Sequence, residues 1–150
     1  IEVRDHKLIN FLAYPRHDTP FRHNFIQLRC TVPIFLARQL AKHQAGLTWN
    51  EERRRYTIKE PGFYHPKVWC NRPLDNIKQG SIGVHQYTDQ WSDLYRQYID
   101  SCSALYSSML DGGIAPEMAR MVLPSSTMIN FIWSGNLLAF FHVYSLRSGQ

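Results

Sequence analysis

The longest regular pattern in the chain is a run of apolar side chains between Trp91 and Met109. These side chains recur at steps of three and four residues, which is the spacing of one face of an α-helix. The pair Gly112-Gly113 follows the run, and glycine is common where a helix ends. The spacing therefore predicts a long helix over about 86–111 whose apolar stripe belongs to the core. The members of the stripe are Trp91, Leu94, Tyr95, Tyr98, Ile99, Cys102, Leu105, Tyr106 and Met109.

The rest of the chain carries weaker helix and strand signals, which together predict a mixed α and β fold. Alternating apolar residues from Asn24 to Val32 are typical of a half-buried strand, and Pro33 is well placed to begin a helix through Gln44. The many prolines and glycines between residues 57 and 83 predict loops. We expect a twisted sheet that carries the 24–32 strand and packs against helices. The remaining predicted elements are a helix over Lys7–Tyr14 capped by Asp5, a short helix from Pro116 that ends before Pro124, a strand around Thr127–Phe131 and a last helix over Asn136–Arg147.

The size and composition of the chain are those of one globular domain. It has 150 residues, of which 44% are hydrophobic and 19% charged. No run of about 18 apolar residues that could span a membrane is visible, and no secretory leader. Cys30, Cys70 and Cys102 are widely spaced and odd in number, so a reducing, cytoplasmic location is expected. Because the chain starts at Ile1 and a helix-like stretch runs up to its end, we expect that both ends of a longer protein are missing.

A dense group of polar residues lies between Gln39 and Tyr56. Lys42-His43-Gln44 is followed by a short loop containing glycine, then by Asn50-Glu51 and Arg53-Arg54-Arg55. Because arginine offers a planar fork of donors, cations and amides that converge beside a loop can bind phosphate groups. The net charge of +5 also favours anionic partners, either nucleic acid or phosphorylated nucleotides and cofactors. A solvated, charged surface connection is the alternative interpretation of the charge run.

The order of residue types in this group resembles the signature of flavin-dependent thymidylate synthases. The matching residues are Lys42-His43-Gln44, Thr48, Asn50-Glu51 and Arg55-Tyr56. Other segments follow the order of the same family, so that the resemblance covers nearly the whole chain. These segments are His17–His23, Pro33–Gln39, Ala115–Glu117, Ala119–Pro124, Trp133–Asn136 and Leu146-Arg147.

The resemblance implies an enzyme that methylates deoxyuridine monophosphate (dUMP) to the thymine nucleotide dTMP. In this family methylenetetrahydrofolate supplies the carbon, NADPH reduces a bound FAD, and the reduced flavin delivers the hydride that completes the methyl group. No cysteine nucleophile is needed. The resemblance also implies the α/β fold of the family, a single catalytic domain over residues 1–150, and a homotetramer whose active sites are built from several subunits.

The roles known in the family carry over to the matching positions of this chain. Arg147 matches an arginine that favours ionisation of the uracil ring, and His17 matches a histidine near the reacting centre; these are the implied catalytic residues. A fixed guanidinium can stabilise negative charge that develops during a reaction. Besides the pair His17 and His23, no spaced His, Cys or acidic partner completes a metal site, so no metal is expected. The implied cofactor contacts are Thr19, Lys42, His43, Gln44, Asn50, Glu51, Asn136 and His142, and the implied nucleotide contacts are Gln39, Lys42, Glu51, Arg53, Arg55, Arg120 and Arg147.

Several positions depart from the pattern of the family. Lys42 and Gln44 replace two arginines, which removes forked donors from the implied flavin site. Arg53 stands where the family has serine, Arg22 where it has glutamate, and Leu138 where it often has a basic flavin contact. These changes are compatible with altered flavin affinity, with a changed product such as the hydroxymethyl nucleotide, or with a homologue that binds nucleotide and forms oligomers without turnover. The other alternative is a basic nucleic-acid-binding domain that uses residues 53–55, although no nucleic-acid-binding signature accompanies it.

Overall fold

The computed structural model describes residues 3–52, 60–74 and 80–148. The chain divides into two compact units, and each is described by itself below. The first unit comprises Ile1–Thr31, Ala37–Glu52 and Asn130–Gln150, and the second comprises Val32–Leu36 and Arg53–Ile129. That residues 1–150 form a single catalytic domain stays a prediction.

Helices and strands are interspersed along the chain, and this mixed α and β structure confirms the predicted fold class. A three-stranded sheet has the order β1-β5-β2, and a two-stranded sheet pairs β3 with β4. Two 3-10 turns, Thr19–Phe21 and Arg120–Val122, complete the described structure. In chain order the elements are α1 (Val3–Ala13), β1 (Ile26–Pro33), α2 (Ile34–Leu40), β2 (Leu47–Glu51), β3 (Cys70–Asn71), β4 (Ile82–Val84), α3 (Thr88–Asp111), α4 (Pro116–Ala119), β5 (Met128–Gly135) and α5 (Leu137–Arg147).

Aromatic side chains form the core of the first unit on one face of its sheet. β2 and β5 are antiparallel, with Trp49 opposite Trp133 and Glu51 opposite Phe131. The ring of Trp49 stacks on Phe131 with 3.5 Å between centroids, and Trp133 meets Phe140 of α5 edge to face at 5.3 Å. Phe131 is only 2% exposed. This burial holds α5 against the sheet, because large aromatic side chains dominate the hydrophobic energy of a small core.

The long helix α3 organises the second unit. It runs over Thr88–Asp111, and the chain leaves it through Gly112 and Gly113, the latter at a φ of +82°. Ile99 and Tyr106 are buried, at 3% and 1% exposure, and α3 packs against α4 and the following 3-10 turn. The predicted long helix is therefore confirmed.

The prediction that the whole stripe of this helix belongs to the core is wrong for part of it. Trp91, Leu94, Tyr98 and Leu105 lie between 48% and 53% exposed. In this helix the buried pair, Ile99 and Tyr106, and the exposed set lie on neighbouring faces. A stripe of apolar residues shows that a helix has an apolar side, but not which molecule covers it.

Strand β2 was not predicted, because three of its five residues are polar and exposed, as is common for a strand at the edge of a sheet. The β3–β4 pair also lies where loops were predicted. The helix predicted through Gln44 ends at Leu40, because Lys42 and His43 turn back through hydrogen bonds to Gln39 and Leu40.

Small shifts affect two other predicted boundaries. Pro33 is the buried last residue of β1 instead of the first residue of α2. Asp5 lies in the first turn of α1 instead of before the helix. The helix from Pro116 and the last helix, which begins after Asn136 and ends at Arg147, are confirmed. Within the three described stretches of chain, no helix is long and apolar enough to cross a membrane.

Candidate functional site

Three of the predicted site residues meet in the first unit, where the last turn of α5 approaches the end of α2. Nε of Arg147 donates a hydrogen bond to Nε2 of His43 over 3.0 Å, and Nη2 of Arg147 donates to the main-chain oxygen of Gln39 over 3.1 Å. Because arginine can only donate, Nε2 of His43 is assigned as the unprotonated acceptor, with the ring proton on Nδ1. The carbonyl groups at the end of a helix carry partial negative charge, which also favours a guanidinium there.

Two glycines bring the loop after α2 against the junction of β5 and α5. A Cβ added to Gly135 would lie 2.5 Å from the carbonyl oxygen of Gly46, and one added to Gly46 would lie 3.1 Å from Cβ of Ala139. Gly46 also has a φ of +72°, a left-handed conformation that glycine adopts without strain. The two backbones can approach this closely only because neither position carries a side chain. This contact fixes the loop of His43 relative to the helix that carries Arg147.

Two asparagine side chains hold the first turn of α5. Oδ1 of Asn136 accepts from the main-chain N–H of Ala139 over 2.9 Å, and Oδ1 of Asn24 accepts from the N–H of Leu137 over 2.6 Å. They satisfy main-chain donors that have no partner within the helix. Asn136 was predicted as a flavin contact, and its side-chain oxygen is engaged in this cap. Asn24 was not predicted, because its partner lies 113 residues away in sequence.

A second group of predicted residues lies at the end of β2. Asn50 and Glu51 line a cavity of about 270 Å³, together with Arg29, Glu52, Asn130, Phe131 and Ile132. Thr31 donates to Oδ1 of Asn130 over 2.7 Å, and Nδ2 of Asn130 donates to Glu52 over 3.0 Å. This polar chain links β1, β5 and the end of β2. The alternating pattern of β1 predicted that Arg29 lies on the polar side of the strand. Its place in the cavity beside Glu51 could not be predicted, because it depends on how the strands pair.

A larger, mainly apolar cavity of about 790 Å³ lies between the end of α1 and α5. It contains His142, one of the predicted cofactor contacts, and Leu138, the position at which the family often has a basic residue. Arg16, another lining residue, has a φ of +58°, which is rare for a residue other than glycine. Its volume falls in the range of small-molecule sites. The other lining residues are Ala13, Tyr14, Asp18, Phe21, Leu137, Phe141, Ser145 and Leu146.

Other predicted residues of the first unit lie on its surface. The ring of His17 lies 6.3 Å from that of Phe11, and Thr19 opens the 3-10 turn before Arg22. Lys42 and Gln44 flank His43 in the loop with exposed side chains. His17 and Thr19 are close in sequence to Asp18 and Phe21, which line the apolar cavity. His17 and Thr19 themselves do not line it.

The remaining predicted nucleotide contacts are Arg53, Arg55 and Arg120. Arg120 belongs to the second unit, where its Nε donates to the main-chain oxygen of Glu117 over 3.2 Å. Arg53 and Arg55 lie outside the described residues. The roles of all these residues in binding stay predictions.

Among the described residues, two titrating side chains have shifted pKa values. Burial raises the pKa of the Cys30 thiol, which disfavours the thiolate and with it nucleophilic attack. A hydrogen bond with Cys102 raises the pKa of the Tyr98 hydroxyl. In the parts of the chain that the structure describes, no three His, Cys, Asp or Glu side chains cluster in a way that could hold a metal ion.

Three comparisons with known proteins each match nearly the whole chain, and their results are consistent with one another. The family model of the thymidylate synthase complementing proteins matches residues 2–150. The flavin-dependent thymidylate synthase of Thermosipho africanus is 34% identical over 146 residues, which cover 97% of this chain and 64% of the relative. That of Streptomyces coelicolor is 33% identical over 156 residues, which cover 97% and 60%. Among solved structures, the UMP/dUMP methylase PolB from Streptomyces cacaoi, bound with 5-Br UMP, matches with a TM-score of 0.80 and 30% identity, over 93% of this chain and 63% of that protein.

The chain therefore spans somewhat less than two thirds of the length of the first of these relatives and of PolB. The family model nevertheless covers all but one of its residues. The chain belongs to the family of thymidylate synthase complementing proteins.

Proposed function

We propose that the protein is a methyltransferase that converts dUMP to dTMP with the help of a flavin. The observation that carries this proposal is the contact of Arg147 with His43 and Gln39. All three residues match functional positions of the family, although 104 residues separate Arg147 from His43 in sequence. Membership of the family supports the reaction, since the relatives are named flavin-dependent thymidylate synthases.

Arg147 is suited to bind an anionic pyrimidine. A guanidinium has five N–H groups on two forked edges. The edge formed by Nε and Nη2 is engaged with His43 and Gln39, so one hydrogen of Nη1 and the second hydrogen of Nη2 stay available on the other edge. That edge can donate to uracil oxygens and stabilise negative charge that develops on the ring. Lys42 and Glu51 are further proposed nucleotide contacts, and so are Arg53, Arg55 and Arg120.

The apolar cavity between α1 and α5 fits part of a flavin. Phe21, Leu138 and Phe141 offer apolar walls to a flat ring, and His142 offers a polar group among them. Further proposed contacts are Thr19, His43, Gln44, Asn50, Glu51 and Asn136. When bound and reduced, FAD would supply the hydride; NADPH would be the reductant and methylenetetrahydrofolate the source of carbon. Cys30 is poorly suited to act as a nucleophile because burial disfavours its thiolate.

The exposed stripe of α3 supports self-association, and we propose the homotetramer of the family. A row of apolar side chains at helical spacing is exposed to solvent in the isolated chain. Its members are Trp91, Leu94, Tyr98 and Leu105. A second copy that covers this row would bury aromatic side chains of the kind enriched in interfaces. Shared active sites would then allow Arg120 of one subunit to serve a nucleotide held by Arg147 of another.

The visible spectrum of the protein tests the flavin part of this proposal. The protein, mixed with FAD and freed of excess, should keep an absorbance band that bleaches on anaerobic addition of NADPH with dUMP. Replacing dUMP by UMP in a parallel sample tests which sugar is accepted. His142→Leu should bind less FAD, whereas His23→Leu, outside the cavity, should bind it normally.

The same experiment separates the alternatives. A protein that binds dUMP but never oxidises NADPH would be a homologue without turnover. A colourless protein whose binding to DNA falls steeply with salt would instead be a nucleic-acid-binding domain.

A further inference from the structure

We propose that His43 is a positioning residue for Arg147. The family resemblance assigns His43 to the flavin alone, but its Nε2 accepts a hydrogen bond from Nε of Arg147 over 3.0 Å. The inference rests on the proposed nucleotide-binding role of Arg147 and deepens it.

The position of His43 explains how one exposed arginine can be held in place. Arg147 lies in the last turn of α5 and its side chain is exposed, whereas His43 is half-buried. An exposed arginine normally samples many rotamers, and ordering it on binding costs entropy. Contacts of Nε with His43 and of Nη2 with the oxygen of Gln39 fix the plane of the guanidinium before a ligand arrives. Preorganisation of this kind raises affinity without adding a contact to the ligand.

The support behind His43 is itself rigid. Its main-chain N–H donates to the oxygen of Leu40 over 3.0 Å, which ties the loop to the end of α2. Gly46, three residues further on, packs against Gly135 and Ala139 at the start of α5. The loop that carries His43 is therefore held both by the end of α2 and by the start of α5, the helix that carries Arg147. This is the arrangement expected when geometry is set by supporting residues and not by the ligand.

The geometry also specifies what position 43 must provide. Arg147 needs an acceptor at the place of Nε2, and it needs no positive charge there, because a cation would repel the guanidinium. A glutamine at position 43 can present its amide oxygen at a similar distance from the backbone, whereas leucine offers no acceptor at comparable size. His43→Gln and His43→Leu therefore form a matched pair that differs in the acceptor.

A double-mutant cycle on the affinity for dUMP tests the inference. Affinity is measured by titration calorimetry on the full-length protein, with and without saturating FAD, for His43→Leu, His43→Gln, Arg147→Ala and the combination of His43→Leu with Arg147→Ala. We expect His43→Leu to weaken dUMP binding by about tenfold, the scale of one hydrogen bond to a charged group, and His43→Gln to restore most of the loss. In the Arg147→Ala background, His43→Leu should cost nothing more.

His142 provides the control for the alternative that His43 contacts only the flavin. His142→Leu should weaken FAD binding, and its effect on dUMP affinity should be the same with arginine or alanine at position 147. If His43→Leu behaves like His142→Leu, or changes dUMP affinity equally in both backgrounds, His43 does not act through Arg147 and the inference is overturned. If Arg147→Ala itself leaves dUMP affinity unchanged, the proposed role of Arg147 fails first, and that result is distinct from a failure of the inference.

Discussion

Nε of Arg147 lies 3.0 Å from Nε2 of His43, although 104 residues separate the two in sequence. One belongs to the motif that resembles a flavin-binding signature, and the other to the last turn of the last helix. Their contact brings together two parts of the proposed active site, and both parts belong to the first unit. It depends on the glycine contact between the loop after α2 and the start of α5.

Removal of the guanidinium should abolish methylation and leave the fold intact. Arg147 is exposed, so Arg147→Ala should change the free energy of unfolding by less than about 1 kcal/mol. Turnover of dUMP should fall by at least about a hundredfold, because a donor aimed at developing charge is lost. Arg38→Ala, an exposed arginine at the end of α2, is the matched control. Normal turnover in Arg147→Ala would show that the residue has been assigned the wrong role.

Gly135→Ala should destabilise the protein and weaken nucleotide binding together. The new methyl group would lie 2.5 Å from the oxygen of Gly46, so the loop and the helix must separate, at a cost of about 1–3 kcal/mol. Thermal unfolding and dUMP affinity are measured on the same samples. Gly62→Ala is the control, because its added methyl would meet Met128 at 3.8 Å, an ordinary contact. Equal stability of the two variants would contradict the close approach.

Asn136 has a structural role that can be separated from a role in flavin binding. Asn136→Ala should lower the free energy of unfolding by about 1 kcal/mol, because Ala139 loses the acceptor that caps α5. Asn136→Asp should keep the cap, since a carboxylate oxygen can accept the same bond. Denaturant unfolding without FAD reports the cap, and FAD titration then reports the cofactor contact. If Asn136→Ala and Asn136→Asp have equal free energies of unfolding, the cap contributes nothing to stability.

A charge on the exposed row of α3 should break the oligomer. Leu94→Glu places a carboxylate among Trp91 and Tyr98, and burying it against a second copy would cost several kcal/mol. Light scattering coupled to gel filtration should show a smaller assembly for this variant. Ser107→Glu adds the same charge at an exposed position off the row, and it should leave the mass of the assembly unchanged. An unchanged assembly for Leu94→Glu would mean that another surface joins the subunits.

Local patterns predicted those elements whose sequence signal is strong by itself. The long repeat of α3, the alternation of β1 and the position of Asn136 before α5 each follow from neighbours in sequence. Strand β2 escaped prediction because the pairing with β5, and not its own polar composition, makes it a strand. The exposed half of the α3 stripe escaped because burial depends on what lies opposite the helix.

The site shows the same division between local and distant information. The family resemblance identified Arg147, His43 and Gln39 as functional positions, but it did not indicate that they touch. Asn24 and Arg29 carry no local signal, since their significance depends on Leu137 and on the cavity beside Glu51. Contacts across more than a hundred residues become visible only when the chain is folded.

The most direct test of the account is the mass of the nucleotide that the full-length protein makes from dUMP with FAD, NADPH and methylenetetrahydrofolate. The account predicts a product that has gained one methyl group and is identical to dTMP, absent when NADPH or the folate is left out. Unchanged dUMP in the presence of a bound flavin that NADPH reduces would contradict it.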